Sequence, residues 1–447
     1  MKENLPLSAT EMVAALNSGK VSALELCDDA IARIDDDVEL NAVVVKDFDR
    51  AREQAKLADQ AIRRKERKPL LGVPMTVKES FNVAGLPTSW GLTTYANNIA
   101  QEDAVAVTRL KSAGAIILGK TNVAQALGDF ESNNPVYGRT VNPIDRSRTP
   151  GGSSGGSAAA LAAGLVPLEL GSDIGGSIRA PAHFCGVMGH KSTYGLIPIR
   201  GHELSNFAVA PDPLAVIGPM ARSAEDLQLA LNVLAGPDDW QQSAYRLELR
   251  PAKLSNPQGL RVLVVKDHPI IPTSAEVAHA VDVAAERLRL QGALISENTT
   301  LVPDLKAIHG NYVAILRTII SRGMPVAEAP LTAHQWMTLM DRRLYWQQQW
   351  KVLFDSVDVI IAPAFSRSAF AHLSAPNMAS TQIEIDGQLS MYRDQLAWSG
   401  LATLVGLPAT VAPVCKNEQG LPLGVQVIGP LFDDASTIKV AGWIANS

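Results

Sequence analysis

The chain has 447 residues, of which 47% are apolar and 19% are charged, and its formal net charge is -5. This composition is sufficient for a large buried core and excludes a disordered or fibrous protein. Its 40 Lys and Arg residues stand against 45 Asp and Glu residues, so the basic excess of a nucleic-acid-binding protein is absent. The same balance argues against attachment to a membrane surface.

The cysteines and the apolar runs bear on compartment and on metal chemistry. Cys27, Cys185 and Cys415 are too widely spaced for a disulfide framework or a Cys-x-x-Cys metal pair. No H-E-x-x-H motif is present, so metal catalysis is not expected. The longest nearly apolar run, at 158–170, is interrupted by Pro167 and is too short to span a bilayer. The N-terminal segment has no secretory signal pattern, so we expect a cytoplasmic protein.

Residues 1–67 are predicted to form an N-terminal helical layer. Ser8 with Glu11, and Ser22 with Glu25, each match the spacing of a capping box at a helix start. Apolar residues follow at helical spacing. The three predicted helices of this layer lie at 12–16, 23–34 and 47–67.

From about residue 70 onward, short apolar runs alternate with helical segments, which predicts an α/β protein with a largely covered sheet. The predicted strands include 115–118, 262–265, 359–362 and 425–428. The predicted helices include 104–112, 224–234, 275–290 and 332–354. A linker is predicted at 249–258 and a flexible loop at 377–389.

Two glycine- and serine-rich stretches are the most unusual part of the sequence. They read GGSSGGS at 151–157 and GSDIGGSIR at 171–179. Such segments let the backbone approach a ligand closely and direct several N–H groups into one concavity, as an oxyanion hole requires. A serine at the end of such a turn is placed to attack a carbonyl group. The alternative interpretation is a pair of flexible surface turns.

A nucleophilic serine needs a base, and Lys78 is the candidate. It directly follows the apolar run GVPMTV, and none of the eight histidines lies in a recognisable triad motif. At the end of an interior strand, burial would lower the pKa of a lysine, and its neutral amine could then act as a general base. The alternative is an exposed lysine or one paired with Glu79, which is the commoner state of lysines.

Lys78 and the two Gly/Ser stretches together resemble the amidase signature family of serine hydrolases. Further segments that fit the family are 118–122, 184–195, 406–413 and 420–429, so the resemblance extends from about residue 8 to the end. It implies an α/β fold with a central mixed β-sheet covered by helices on both faces. Residues 68–447 would form this domain, in one compact unit with the N-terminal layer. The implied activity is hydrolysis of a small-molecule amide without a cofactor.

The resemblance also implies a Ser–cis-Ser–Lys triad. Ser177 would be the nucleophile, Ser153 the bridging serine in a cis peptide with Gly152, and Lys78 the terminal base. The N–H groups expected to form the oxyanion hole are those of Ile174, Gly175, Gly176 and Ser177. The residues expected to fix the two loops are Ser154, Asp173 and Arg179. For these last three the alternative is a solvated turn with a surface charge.

Two other motifs match formally and are disfavoured by their context. Residues 114–121 fit the phosphate-loop pattern, but the intervening Ala-Ile-Ile-Leu reads as a strand, so Lys120 would end a strand rather than begin a helix. Residues 151–155 fit the nucleophile elbow of α/β-hydrolases, which would make Ser153 the nucleophile. That elbow needs a preceding hydrophobic strand, whereas 142–150 is polar and contains two prolines.

Within the family, a second candidate is the A-type subunit of glutamyl-tRNA amidotransferase, a glutamine hydrolase that works in a complex. We do not find the arginine-bearing C-terminal segment associated with glutamine capture there. The N-terminal helices of the family often mediate dimerisation, so a homodimer is one expected assembly.

Some positions depart from the commonest pattern or belong to its variable parts. Glu79 stands where many relatives have Asp, and His190 and Ser192 stand where Leu and Pro are frequent. A structural role is favoured for His190 over a role in the pocket. The acyl pocket is expected near 126–130, near Trp398 and within 310–380. The helical aromatics, for which core packing is favoured over a tunnel lining, are Trp336, Tyr345, Trp346 and Trp350.

Overall fold

The element bounds come from a computed structural model, which describes residues 8–204, 210–253, 255–298, 300–322, 330–374 and 378–446. The α-helices are α1 (Ala9–Ser18), α2 (Ala23–Asp36), α3 (Phe48–Arg63), α4 (Val105–Ser112), α5 (Gly155–Ala162), α6 (Arg179–Cys185), α7 (Ala224–Leu234), α8 (Ala275–Leu290), α9 (Leu305–Ile320), α10 (Ala333–Ser356), α11 (Leu396–Thr403) and α12 (Asp434–Ala445). The strands are β1 (Val43–Lys46), β2 (Pro74–Lys78), β3 (Ile116–Thr121), β4 (Asn133–Asn134), β5 (Gly138–Arg139), β6 (Leu168–Asp173), β7 (Met188–Lys191), β8 (Val216–Ala221), β9 (Arg261–Val264), β10 (Leu294–Ser296), β11 (Val359–Pro363), β12 (Gln382–Ile385), β13 (Gln388–Met391), β14 (Ala409–Lys416) and β15 (Pro422–Ile428).

Both predicted capping boxes are confirmed at the first two helices. The Ser8 hydroxyl accepts a hydrogen bond from the Glu11 N–H at 3.2 Å, and the Ser22 hydroxyl accepts one from the Glu25 N–H at 3.1 Å. Each glutamate in turn accepts a hydrogen bond from the N–H of its capping serine. These bonds satisfy backbone donors that have no partner within the helix, which fixes where α1 and α2 begin.

One mixed sheet of eleven strands organises the described residues, in the order β1-β3-β2-β6-β8-β7-β14-β15-β11-β9-β10. Strands β3, β2 and β6 run parallel, as do β11, β9 and β10, and the remaining neighbours are antiparallel. The predicted α/β class with a mixed sheet is therefore confirmed. The N-terminal segment is not purely helical, because β1 joins the edge of the sheet beside β3.

Helices cover both faces of the sheet, and strand β11 shows how. Val359 and Ile361 pack into one hydrophobic cluster with residues of α8 and α12, to which α1–α3 also contribute. Ile360 and Ala362 pack into a second cluster with α9, α10 and α11. Because successive side chains of a strand point to opposite faces, the two clusters lie on opposite sides of the sheet.

The predicted flexible loop at 377–389 is wrong over most of its length, although residue 377 itself lies outside the described residues. Strands β12 and β13 form an antiparallel hairpin there. Ile383 and Ile385 are buried, while Gln382 and Glu384 are exposed, which is the alternation of a half-buried strand. The turn contains Asp386-Gly387, both with positive φ, and this dipeptide is a known hairpin signal.

No helix in the described ranges combines the length with the apolar character needed to cross a membrane.

Candidate active site

Lys78 is the last residue of β2, a strand in the parallel part of the sheet between β3 and β6. Every residue of β2 is buried, and Lys78 itself is 0% exposed. Its Nζ donates hydrogen bonds to Ser153 Oγ at 2.7 Å and to Ser172 Oγ at 2.9 Å. Burial lowers the pKa of Lys78 to about 7, although the charges of Asp173 and Glu79 oppose the shift. The amine is therefore partly neutral at pH 7.

Ser153 lies in the tight turn that precedes α5, and the peptide bond between Gly152 and Ser153 is cis. A Cβ atom on Gly152 would lie 2.4 Å from the carbonyl oxygen of Asp129, so the turn packs against that segment only because the residue is glycine. The backbone N–H of Ser154 donates to the carbonyl oxygen of Ser177 at 3.1 Å. The two Gly/Ser stretches thus lie directly against each other.

Residues 174–177, which we call the oxyanion loop after the role expected of them, connect the end of β6 to α6. Gly176 has a φ of 99°, and a Cβ there would lie 2.3 Å from Ser399 Oγ, so this position also requires glycine. The Gly176 N–H donates to Asp173 Oδ1 at 2.9 Å, and the Ile178 N–H donates to Asp173 Oδ2 at 3.1 Å. In this structure the Gly176 N–H, expected in the oxyanion hole, is used to hold the loop.

Asp173 and Arg179 form a buried bidentate ion pair behind this loop. Arg179 Nε lies 3.1 Å from Asp173 Oδ2, Nη2 lies 2.9 Å from Oδ1, and both residues are 1% exposed. Burial raises the pKa of Asp173, but the charge and hydrogen bonds of Arg179, the charge of Lys191 and the Gly176 N–H together outweigh this effect and lower the pKa to about 2. Arg179 also donates to Thr403 Oγ1 and Gln426 Oε1, which ties the loop to α11 and β15. The alternative of a solvated surface turn is excluded by this burial.

The side chains around the oxyanion loop come from the segments in which an acyl pocket was expected. The Tyr312 hydroxyl donates to the carbonyl oxygen of Ile174 at 2.7 Å. A Cβ on Gly175 would lie 3.0 Å from Leu396 Cδ2, and one on Gly176 would lie 3.8 Å from the Phe130 ring. Phe130 packs edge-on against the ring of Phe365, at 5.1 Å between centroids. The loop therefore faces a largely apolar wall.

Two residues that touch this site were not assigned from the sequence. Ser172 accepts the second hydrogen bond of Lys78, and His202 Nε2 lies 2.9 Å from Ser172 Oγ. Ser172 belongs to the second Gly/Ser stretch. A strand predicted over 168–173 would have placed Ser172 near the end of that strand, beside Lys78. His202 lies in no motif, so only the three-dimensional structure brings it to the site.

The contacts of His190 and Lys120 are those of residues with a structural role. His190 is buried between Thr410 Oγ1, at 2.8 Å, and Asp434 Oδ1, at 3.0 Å, as expected for a structural histidine. Lys120 lies within β3 and donates to the carbonyl oxygen of Pro87, which agrees with the strand interpretation of the phosphate-loop match.

The aromatic residues of α10 are divided between core and surface. Trp350 is buried in the second cluster, and Trp336 and Trp346 are half-buried against it. Tyr345 is 51% exposed, so the expectation of core packing is wrong for this residue.

The chain belongs to the amidase signature family. The family model described as Amidase matches residues 25–316 and 305–438. The A-type subunit of the glutamyl-tRNA(Gln) amidotransferase of Roseiflexus castenholzii is 33% identical, over 97% of this chain and 93% of its own. AtzE of Pseudomonas sp., which belongs to a 1-carboxybiuret hydrolase, is 34% identical, over 97% of each chain. Among solved structures, the chain is similar to one from an inhibitor-bound protein complex that was studied for the evolutionary origins of an s-triazine catabolic enzyme. The two chains superpose with a TM-score of 0.84 and 30% identity, with 98% of both chains covered. The chain is accordingly an amidase.

Proposed function

We propose that the chain hydrolyses a carboxylic amide through an acyl-enzyme formed on Ser177, with Ser153 as relay and Lys78 as general base. The observation that carries this proposal is the fully buried Lys78 amine, 2.7 Å from the Ser153 hydroxyl. A buried amine that is partly neutral at pH 7 can accept a proton, and Ser153 is the group from which it would accept it.

In the acylation step, neutral Lys78 takes the proton of Ser153, and Ser153 takes the proton of Ser177. Ser177 Oγ forms a bond to the amide carbonyl carbon, and the carbonyl electron pair moves to oxygen. The N–H groups of Ile174, Gly175 and Ser177 would stabilise this oxyanion, while that of Gly176 stays with Asp173. When the C–N bond breaks, the leaving nitrogen receives a proton through Ser153.

In the second step, water attacks the acyl-enzyme. The relay removes a proton from the water and returns one to Ser177 Oγ, so that the carboxylic acid leaves and the catalyst is regenerated. This chemistry uses side chains and backbone N–H groups only, and we propose that it needs no metal or other cofactor. The apolar wall of Phe130, Tyr312 and Leu396 beside the oxyanion loop supports a small-molecule amide with an apolar acyl part.

A fluorophosphonate probe tests the assignment of the nucleophile. Mass spectrometry of the labelled protein should find the phosphonyl group on Ser177, and Ser177→Ala should abolish both labelling and turnover. Modification of Ser153 instead would contradict the proposed order of the triad. A screen of aliphatic amides, aryl amides, N-acyl anilides and glutamine then defines the substrate class.

A second candidate function is that of an A-type subunit in a glutamine-dependent tRNA amidotransferase complex. The 33% identity to such a subunit over 97% of this chain supports it. Copurification with partner subunits, together with glutamine as the best substrate, would favour this alternative. A catalytically active homodimer, measured by size-exclusion chromatography with light scattering, would favour the independent amidase.

A further inference from the structure

A chain of hydrogen bonds continues from Lys78 away from Ser153. Lys78 Nζ lies 2.9 Å from Ser172 Oγ, which lies 2.9 Å from His202 Nε2. The same His202 nitrogen lies 3.0 Å from the Ser80 hydroxyl. Neither Ser172 nor His202 takes part in the acylation steps described above, and yet both are connected to the base.

His202 is held firmly in this place by its neighbours. Its ring packs edge-on against Phe81, with 4.8 Å between centroids, and at a tilt against Trp90, with 5.4 Å between centroids. The preceding residue, Gly201, accepts a hydrogen bond from the Asn82 N–H at 2.8 Å. The segment that follows Lys78 in the chain therefore fixes the imidazole beside the base.

The proposed role of Lys78 as base requires one direction of donation along this chain of hydrogen bonds. A neutral lysine has two N–H donors and one lone pair, and it can serve as base only if the lone pair faces Ser153. An N–H of Lys78 is then free to face Ser172, whose oxygen accepts it. The single proton of Ser172 must consequently point elsewhere, and His202 Nε2 is within hydrogen-bonding distance.

We propose that His202 is a positioning residue for the triad, which acts through Ser172. With Nε2 unprotonated and its one lone pair directed at Ser172 rather than at Ser80, His202 accepts the Ser172 proton and keeps it away from the lone pair of Lys78. Burial lowers the pKa of His202 to about 3, and the charge of Lys78 lowers it as well, so the ring is neutral at pH 7. The proposal assigns it the tautomer protonated at Nδ1, in which Nε2 is the acceptor. This inference rests on the proposed function, because it assigns a role relative to Lys78 as base.

Removal of the acceptor has a defined consequence for the base. The Ser172 hydroxyl could then rotate and donate to the Lys78 lone pair, in competition with Ser153. That bond would stabilise the neutral amine and so lower the pKa of Lys78, but it would leave the lone pair facing a hydroxyl with no route to Ser177. The other charged groups that act on Lys78 are Asp173 and Glu79, and both stay in place.

The test compares His202→Gln, which keeps a hydrogen-bond acceptor, with His202→Met, which is of similar length and has only a weak one. The rate constant for fluorophosphonate modification of Ser177 is measured between pH 5 and pH 9 for both variants. We expect His202→Met to react about 10- to 100-fold more slowly than the wild type, with its acidic limb at lower pH. His202→Gln should stay within about threefold of the wild type.

The variants His202→Gln and His202→Met, each made in a Ser172→Ala background, provide the matched control. Without the Ser172 hydroxyl, His202 has nothing to orient, so His202→Met should add less than about a threefold further loss. Thermal unfolding of each variant identifies any loss that comes from misfolding. If His202→Met fails to fold, His202→Leu replaces it as the variant without an acceptor, with the same expected loss.

The outcomes separate this inference from the proposed function. Failure of wild-type Ser177 to react would remove the triad and this inference with it. A reactive wild type with Gln and Met variants of equal rate would overturn the role of His202 and leave the triad standing. Losses that multiply independently in the Ser172→Ala background would likewise overturn it, because His202 would then act without Ser172.

Discussion

The pKa of Lys78 makes a quantitative prediction about how the reactivity of Ser177 depends on pH. An ordinary lysine, with a pKa near 10.4, is neutral in about 0.04% of molecules at pH 7, whereas a lysine with a pKa of about 7 is neutral in about half of them. Burial thus increases the neutral fraction of the Lys78 amine roughly a thousandfold. Below pH 7 the neutral fraction falls about tenfold per pH unit, to about 10% at pH 6 and about 1% at pH 5.

The assay is the second-order rate constant of fluorophosphonate modification, which reports on the free enzyme and needs no knowledge of the substrate. It should rise about tenfold per pH unit from pH 5 and level off above pH 7. Lys78→Arg keeps a cation that does not deprotonate, so its rate should be low throughout and follow no such limb. A wild-type rate that is flat from pH 5 to pH 8, or a midpoint near pH 10, would refute the reasoning.

Four further outcomes are expected. Ser153→Ala should lower kcat by about 10²- to 10⁴-fold with KM largely unchanged, as measured on any substrate found in the screen. Arg179→Met leaves the buried Asp173 without its partner and should lower the free energy of unfolding in urea by about 3–5 kcal/mol. Arg179→Lys keeps a positive charge, so a smaller loss of stability for Arg179→Met than for Arg179→Lys would contradict the ion-pair argument. Tyr312→Phe removes one hydrogen bond to the oxyanion loop and should cost about 1 kcal/mol, with Ser177 still labelled. Burial raises the pKa of Glu169 to about 8, so wild-type stability should fall as pH rises from 4.5 to 8; Glu169→Gln should remove that part of the dependence in melting experiments.

The class of fold could be predicted from the sequence because capping boxes and apolar runs involve only residues that are close together in the chain. Capping boxes at Ser8 and Ser22 fixed two helix starts, and apolar runs such as 359–362 became strands buried on both faces. The close packing of the two Gly/Ser stretches could be predicted for another reason. Backbone segments packed as closely as those at Gly152 and Gly176 admit no side chain, so their composition is visible in the sequence itself.

The surroundings of Lys78, the proposed base, could not be predicted in the same way. His202 is 30 positions from Ser172 and 122 positions from Ser80, so no spacing rule brings these three side chains together. The hairpin of β12 and β13 was missed for a different reason. Its alternation extends over only four residues per strand, and the polar residues around it suggested a loop.

Burial alone would not have singled out Lys78 as the proposed base, since Lys78, Lys120 and Lys191 are all fully buried and burial lowers the pKa of each. What separates them is the chemistry of their partners. Lys191 donates to two backbone carbonyl oxygens, and Lys120 donates to a carbonyl oxygen and one hydroxyl. A carbonyl oxygen can only accept, so it holds an amine as a donor and offers it no proton. Both partners of Lys78 are hydroxyls, and both can accept from the ammonium. Ser153 can also donate to the one lone pair of the neutral amine while Ser172 goes on accepting, so this lysine can gain and lose a proton without losing its hydrogen bonds.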